Sequence, residues 1–287
     1  MRYDYEESYD RQARLEQLER EWSRFYLWSV PERKVLRRAR ELFMAPWDGD
    51  KKVSELLVEA AESLEVLLLA NTRVTDAGLR VLTRAPKLRL LSLTRTGITD
   101  EGMKVLGQLT QLKELHLVRT GVTDAGLKEL APLVRLEKLD LARTAITDAG
   151  LKELSPLTRL KKLGLACTQV TDAGLKELAP LIQLKELDLF HTQVTDAGLR
   201  ELAPLVQLKE LDLTGTKITD AGLKELTSLT QLKKLVLSRT AITDAGLREL
   251  APLVRLNELD LTGTRVTREG LRELRMSPQG DYLEITF

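Results

Sequence analysis

The chain has 287 residues, with 44 lysines and arginines against 43 aspartates and glutamates, so its formal net charge is +1. A charge this close to zero gives no long-range field that would hold nucleic acid or an anionic membrane, and we expect neither partner. Cys167 is the only cysteine, so no disulfide can form within the chain. The polar start of the sequence and the absence of a long apolar run favour a soluble, cytoplasmic protein.

Residues 1–47 differ from the rest of the chain, because they hold all three tryptophans. They are predicted to be helical, because apolar residues recur on one helix face, namely Leu15, Leu18, Trp22, Phe25 and Tyr26. Pro31 opens the second of two predicted helices, which carries Leu36, Ala39, Leu42 and Phe43. One interpretation is a cap that covers the apolar edge of the next segment. The alternative is a docking module for a second protein, as in an adaptor.

Residues 48–287 are predicted to be a solenoid, because the motif Thr-x-(Val/Ile)-Thr-Asp-x-Gly-Leu recurs every 24 residues without insertion. Residues 48–71 are a degenerate first unit, and Arg268 replaces the aspartate in the last full unit. Ten strands are expected between Leu64 and Ile285. The nine motifs begin at Thr72, Thr96, Thr120, Thr144, Thr168, Thr192, Thr216, Thr240 and Thr264.

Within one unit, the stretch from Leu112 to Leu117 predicts a short parallel strand with alternate leucines facing the core. The hydroxyl of Thr120 is expected to bond backbone groups of its own turn and of the next unit. Thr123 is placed to cap a short helix, whose positive end favours Asp124. A glycine inside each helix costs about 1 kcal/mol relative to alanine, so we expect close approach between helices, with a larger side chain at the glycine clashing with the next helix.

These residues resemble the leucine-rich repeat superfamily, through the pattern Leu136, Leu139, Leu141, Thr144 followed by a helical half. The resemblance implies a curved right-handed α/β solenoid with parallel strands on the concave face and short helices on the convex face, next to the N-terminal helical cap predicted above. It also implies a protein-interaction role, with no catalytic residue to carry over, and we expect no cofactor and no metal.

Equivalent positions of successive strands form columns on the concave face. Glu186, Asp188, Glu210 and Asp212 fall side by side and predict an acidic patch. At the strand ends, Arg95, Arg119 and Arg143 fall in one column and would form a charged flank for a carboxylate-rich partner. The alternative is that these charges only keep the surface soluble.

Phe190 is the only aromatic residue between Trp47 and Tyr282, and small residues or valine fill the same position in other units. An exposed aromatic side chain suits an anchor for a protein partner, whereas a ring lying flat over small neighbours would be structural. We expect Phe190 to be the centre of a binding patch.

Cys167 and His191 occupy the same position in consecutive units, so their side chains could meet as a thiol nucleophile or half a metal site. The open ribbon offers no identifiable oxyanion donors, so membership of the binding patch is the preferred interpretation. The sequence therefore predicts a non-enzymatic scaffold that binds a protein or peptide on its concave face.

Overall fold

A computed structural model describes residues 41–43, 49–276 and 282–287. The described strands form one parallel sheet of eleven, in which the order of the strands follows the sequence. Equivalent leucines pair from strand to strand, as Leu115 does with Leu139. The strands are β1 Glu41–Phe43, β2 Val66–Leu68, β3 Leu90–Ser92, β4 Glu114–His116, β5 Lys138–Asp140, β6 Lys162–Gly164, β7 Glu186–Asp188, β8 Glu210–Asp212, β9 Lys234–Val236, β10 Glu258–Asp260 and β11 Glu284–Thr286.

Short helices lie on the other side of the described sheet and give the curved α/β solenoid expected from the repeat. The α-helices span Asp50–Ala60, Asp76–Leu79, Asp100–Leu106, Asp124–Leu127, Asp148–Leu151, Asp172–Leu175, Asp196–Glu201, Asp220–Leu223, Asp244–Leu247 and Arg268–Arg275. Most of the short ones continue as 3₁₀ turns, at Arg80–Arg84, Lys128–Leu130, Lys152–Leu154, Lys176–Leu178, Lys224–Ser228 and Arg248–Leu250. Within the described ranges, every helix is too short or too polar to cross a lipid bilayer.

The core is a continuous stack of leucines between the strands and the helices. Between residues 122 and 141, the side chains of seven apolar residues are at most 1 % exposed: Val122, Leu127, Leu130, Leu133, Leu136, Leu139 and Leu141. Their burial provides roughly 10 to 20 kcal/mol, which is no more than the conformational entropy lost by 24 residues. Contacts between units must therefore supply the net stability.

Strand β1 corrects the prediction of a helix that carries Leu42 and Phe43. Residues Glu41–Phe43 pair in parallel with Val66–Leu68, so the described sheet has eleven strands instead of ten. Leu42 is buried and pairs with Leu67, 25 residues later, which is close to the repeat spacing. Pairing with β2 has overridden a weak helical pattern. The rest of the predicted cap lies outside the described residues, and its boundary at residue 47 stays a prediction.

The threonine that ends each strand region bonds only within its own turn. In all nine units its Oγ1 donates to the carbonyl of the leucine three residues earlier, at 2.5 to 2.7 Å. The expected bond to the following unit is absent from these contacts. Each hydroxyl thus closes a buried turn and needs no partner in a neighbouring unit.

The aspartate at each helix start bonds the following unit, a role that the sequence did not indicate. Asp148 Oδ1 accepts from the backbone N–H of Thr171 at 2.7 Å, and its Oδ2 accepts from the Thr171 hydroxyl at 2.6 Å. Thr171 Oγ1 in turn accepts from the N–H of Ala173 and caps its own helix. The same two bonds recur at nine junctions, from Asp50–Thr75 to Asp244–Thr267. We call this series the aspartate ladder.

The ladder explains the glycine inside each helix. A Cβ at Gly174 would lie 3.1 Å from the Asp148 Cα and would overlap the carboxylate oxygen that bonds Thr171. The close approach therefore involves the preceding helix, and the expected clash with the next helix is wrong, because the Asp148 carboxylate lies over this glycine from the unit before it. A glycine at this position lets one unit cover the carboxylate of the unit before it.

Candidate functional site

The predicted acidic patch forms on the concave face. Strand pairing places Glu186 beside Glu210 and Asp188 beside Asp212. Asp188 Oδ1 accepts from the Phe190 N–H at 2.9 Å, and Asp212 Oδ1 accepts from the Thr214 N–H at 2.8 Å. These bonds fix both carboxylates and give them a structural role at the end of the strand, in addition to any role in binding.

Burial raises the pKa of three carboxyl groups of this patch. Burial, reinforced by the charge of Asp212, raises the pKa of Asp188 from 3.8 to about 7. Burial and the charge of Glu186 raise the pKa of Glu210. The pKa of Asp212 is also raised, first by burial, although its bonds with Thr214 oppose the shift. Glu186 is already paired with Lys162, so the unfavourable part of the patch is the pair Asp188 and Asp212, whose repulsion a further cation would relieve.

Phe190 is half-buried, so its ring is less exposed than an isolated surface anchor would be. Its ring meets the imidazole of His191 edge to face, with centroids 4.4 Å apart. Ala166 and Thr214, its neighbours in the column, are both buried. Phe190 therefore contributes to packing at the strand ends and still exposes part of its side chain.

Cys167 and His191 do not form the pair that their shared position allowed. The imidazole of His191 lies over Gly215 in the following unit, where a Cβ would come within 2.7 Å of the ring. The contacts of the described residues include no hydrogen bond between Cys167 and His191. In the described part of the chain, no three His, Cys, Asp or Glu side chains form a group that could hold a metal ion.

The column that contains the three arginines has a left-handed backbone. Arg95, Arg119 and Arg143 are exposed and have φ of 55°, 54° and 57°. Cys167 and His191 share this conformation, and the column continues as Asn71, Gly215, Arg239 and Gly263, all with positive φ. Only glycine, and to a lesser extent asparagine, adopts it readily. The two glycines are the sequence signal that could have revealed this turn.

His116 is the centre of a second concave cluster, which was not predicted. Its Nε2 lies 2.9 Å from Glu114 Oε1, and its Nδ1 lies 3.9 Å from Asp140 Oδ2. Lys138 completes the cluster, with its Nζ 3.3 Å from Glu114 Oε2. Burial lowers the pKa of His116, but the neighbouring carboxylates of Asp140 and Glu114 raise it to about 9. His116 is therefore a cation at neutral pH.

Comparisons with known proteins agree with the architecture. Two family profiles, both described as leucine-rich repeat, match residues 206–266 and residues 84–107, 108–131, 136–155 and 183–203. No curated protein sequence matches the chain. An internalin C2 of Listeria monocytogenes is similar in structure, with a TM-score of 0.57 and 31 % identity over 73 % of this chain and 84 % of that chain.

A second internalin of Listeria monocytogenes, inlF, has a TM-score of 0.61 and 23 % identity, over 80 % of this chain and 69 % of that chain. The likeness to inlF shows the fold alone, because the sequence identity is only 23 %. The 31 % identity with internalin C2, over 84 % of that chain, also shows that the two proteins share a family. Proteins built from these repeats are in general protein-interaction scaffolds. The chain belongs to the leucine-rich repeat family.

Proposed function

We propose that this protein is a non-enzymatic scaffold that binds a protein or peptide partner on its concave face, at the patch of Phe190, His191, Cys167, Glu186, Asp188, Glu210 and Asp212. The observation that carries the proposal is the adjacency of Asp188 and Asp212 on neighbouring strands. Two half-buried like charges on neighbouring strands destabilise the unbound protein, and a cationic side chain of a partner would remove that repulsion. We also propose a cytoplasmic location.

In this proposal, a lysine or arginine of the partner lies between the two aspartates and against the exposed part of the Phe190 ring. An aromatic face attracts such a cation by about 0.5 to 2 kcal/mol. Arg95, Arg119 and Arg143 extend the site at the strand ends and attract carboxylates of the same partner. Their effect is mainly on the rate of association, because all three are exposed.

The test is capture of partners from a cytoplasmic extract, followed by titration of each captured protein. Phe190→Ala should lower affinity by at least about 2 kcal/mol. Val254→Ala is the matched control, because Val254 is an exposed apolar residue in a loop before a strand. Partners that bind both variants equally well would contradict the concave site.

The three arginines need a separate measurement. Replacing Arg95, Arg119 and Arg143 by alanine should reduce the salt dependence of association and leave the dissociation rate nearly unchanged. If salt dependence is unaltered, the arginines do not contribute to binding.

A further inference from the structure

Positive charge is concentrated at one edge of the solenoid, although the whole chain is almost neutral. We call this edge, formed by the residue before each strand and the loop that precedes it, the strand-start edge. Of the eight residues that come directly before β3 to β10, six are cationic and one is anionic. They are Arg89, Lys113, Glu137, Lys161, Lys185, Lys209, Lys233 and Asn257.

The cations in the two halves of this edge have different surroundings. In the first half, Glu137 forms ion pairs with two of the lysines, since its carboxylate lies 2.6 Å from Lys161 Nζ and 3.8 Å from Lys113 Nζ. Lys185, Lys209 and Lys233 have no ion pair among the contacts of the described residues. The carboxylates of Glu186 and Glu258, next to this row, are already bound to other lysines at 2.7 and 2.8 Å.

The backbone holds these three lysines in a fixed row. The N–H of Lys209 donates to the carbonyl of Lys185, and the N–H of Lys233 donates to the carbonyl of Lys209, each at 2.7 Å. Neighbouring positions are therefore about 4.8 Å apart, as in any parallel sheet. Three like charges at this spacing repel one another unless anions lie between them.

Apolar side chains lie on the same edge, three residues before two of these lysines. Ile182 is 55 % exposed and Val206 is 49 % exposed. In an earlier unit the equivalent loop residue, Val134, and the equivalent edge residue, Glu137, line one shallow hollow of about 420 Å³. The loop residue and the residue before the strand thus share one surface, which offers alternating apolar and cationic groups.

We propose that the strand-start edge from Ile182 to Lys233 is a second docking surface, which binds an acidic segment of a protein partner. Carboxylates of that segment pair with Lys185, Lys209 and Lys233, while its apolar side chains contact Ile182 and Val206. A helical segment matches best, because its 5.4 Å pitch brings one acidic residue per turn close to the 4.8 Å spacing of the lysines.

The same surface is poorly suited to nucleic acid or to a membrane. Phe190, the only aromatic residue between Trp47 and Tyr282, lies at the opposite end of the strand, so within residues 49–276 no aromatic ring on this edge can stack on a base. The carboxylate of Glu210 lies one residue after Lys209 and repels a polyanion wider than the row. The exposed isoleucine and valine favour a protein segment.

The probe is a labelled synthetic helical peptide with one glutamate per turn and leucines on the adjacent face, and binding is measured by fluorescence anisotropy with the full chain. Reversal of the row (Lys185→Glu, Lys209→Glu, Lys233→Glu) should weaken binding at least about tenfold. Ile182→Ser with Val206→Ser should weaken it about threefold to tenfold. The charge-matched control is Lys128→Glu, Lys152→Glu, Lys176→Glu on the helical side, which should change affinity less than about twofold.

Two further arms distinguish this edge from the concave patch and from a surface that attracts any polyanion. Phe190→Ala should leave peptide binding intact, so failure of the concave site and failure of this edge are distinguishable. Oligouridine and anionic phospholipid vesicles should bind more weakly than the peptide. Equal loss with the control triple, or binding of oligouridine as tight as that of the peptide and insensitive to Ile182 and Val206, would overturn the proposal. Circular dichroism of every variant confirms that it is folded.

Discussion

The aspartate ladder predicts that a single carboxylate in the middle of the array contributes a large part of the stability of the junction between two units. Asp148→Ala removes two bonds to Thr171 and leaves a backbone N–H at a helix start without its acceptor. A hydrogen bond to a charged group contributes about 1.5 to 3 kcal/mol, and both residues are only half-buried. We therefore expect a loss of about 2 to 4 kcal/mol in the free energy of unfolding.

Asp148→Asn gives an intermediate case, because its amide oxygen can still accept from the Thr171 N–H while the second oxygen is lost. We expect about half the loss of the alanine variant. The assay is urea unfolding followed by circular dichroism, with Lys152→Ala as an exposed control on the same outer face, where about 0.5 kcal/mol or less is expected. A loss below about 0.5 kcal/mol in Asp148→Ala would refute the idea that these bonds couple the units.

Three further predictions concern single positions. Gly174→Ala should destabilise the protein by about 2 kcal/mol, because the new methyl group overlaps the Asp148 carboxylate. The loss should be smaller in the Asp148→Ala background, and additive losses in a double-mutant cycle would contradict this contact. Stability should fall as pH rises from about 4 to 7, because the folded protein binds more protons at Asp188 than the unfolded chain does. Asp188→Asn should reduce this pH dependence and, at pH 8, raise the free energy of unfolding by about 1 to 2 kcal/mol, whereas an unchanged unfolding profile would count against it. Arg143→Gly should stabilise the protein by about 0.5 to 1 kcal/mol by relieving its left-handed backbone. Gly263→Ala is the reciprocal, destabilising change, at a position where a Cβ meets no atom closer than 3.5 Å; equal melting temperatures would exclude strain.

The repeat period made most of the fold predictable. The alternation of leucines fixed the face of each strand, and Thr123 caps its helix as expected, since its hydroxyl accepts from Ala125 N–H. Strand β1 was missed because Glu41–Phe43 precede the recognisable motif, and only the pairing of Leu42 with Leu67 reveals their place in the sheet. A short apolar segment adopts the structure that its neighbours supply.

The concave site was less predictable than the fold. Columns could be read from the sequence, because equivalent residues of parallel strands are neighbours, and this placed Asp188 beside Asp212. Side-chain directions could not be read in the same way. The His191 ring turns toward Gly215 instead of Cys167, and this choice depends on the space left by a glycine in the next unit. The pairing of Asp148 with Thr171 was likewise hidden, since a helix start explains the same two residues locally.

The direction of the aspartate ladder has a consequence for how such an array can grow. The aspartate of each internal unit bonds the threonine of the following unit, and its threonine bonds the aspartate of the preceding unit. An in-frame copy of a 24-residue unit would therefore form the same bonds at both of its junctions. Unequal recombination inside the array can therefore change its length without creating a foreign interface. A copy placed after Arg268 would instead meet a guanidinium where its threonine needs an acceptor.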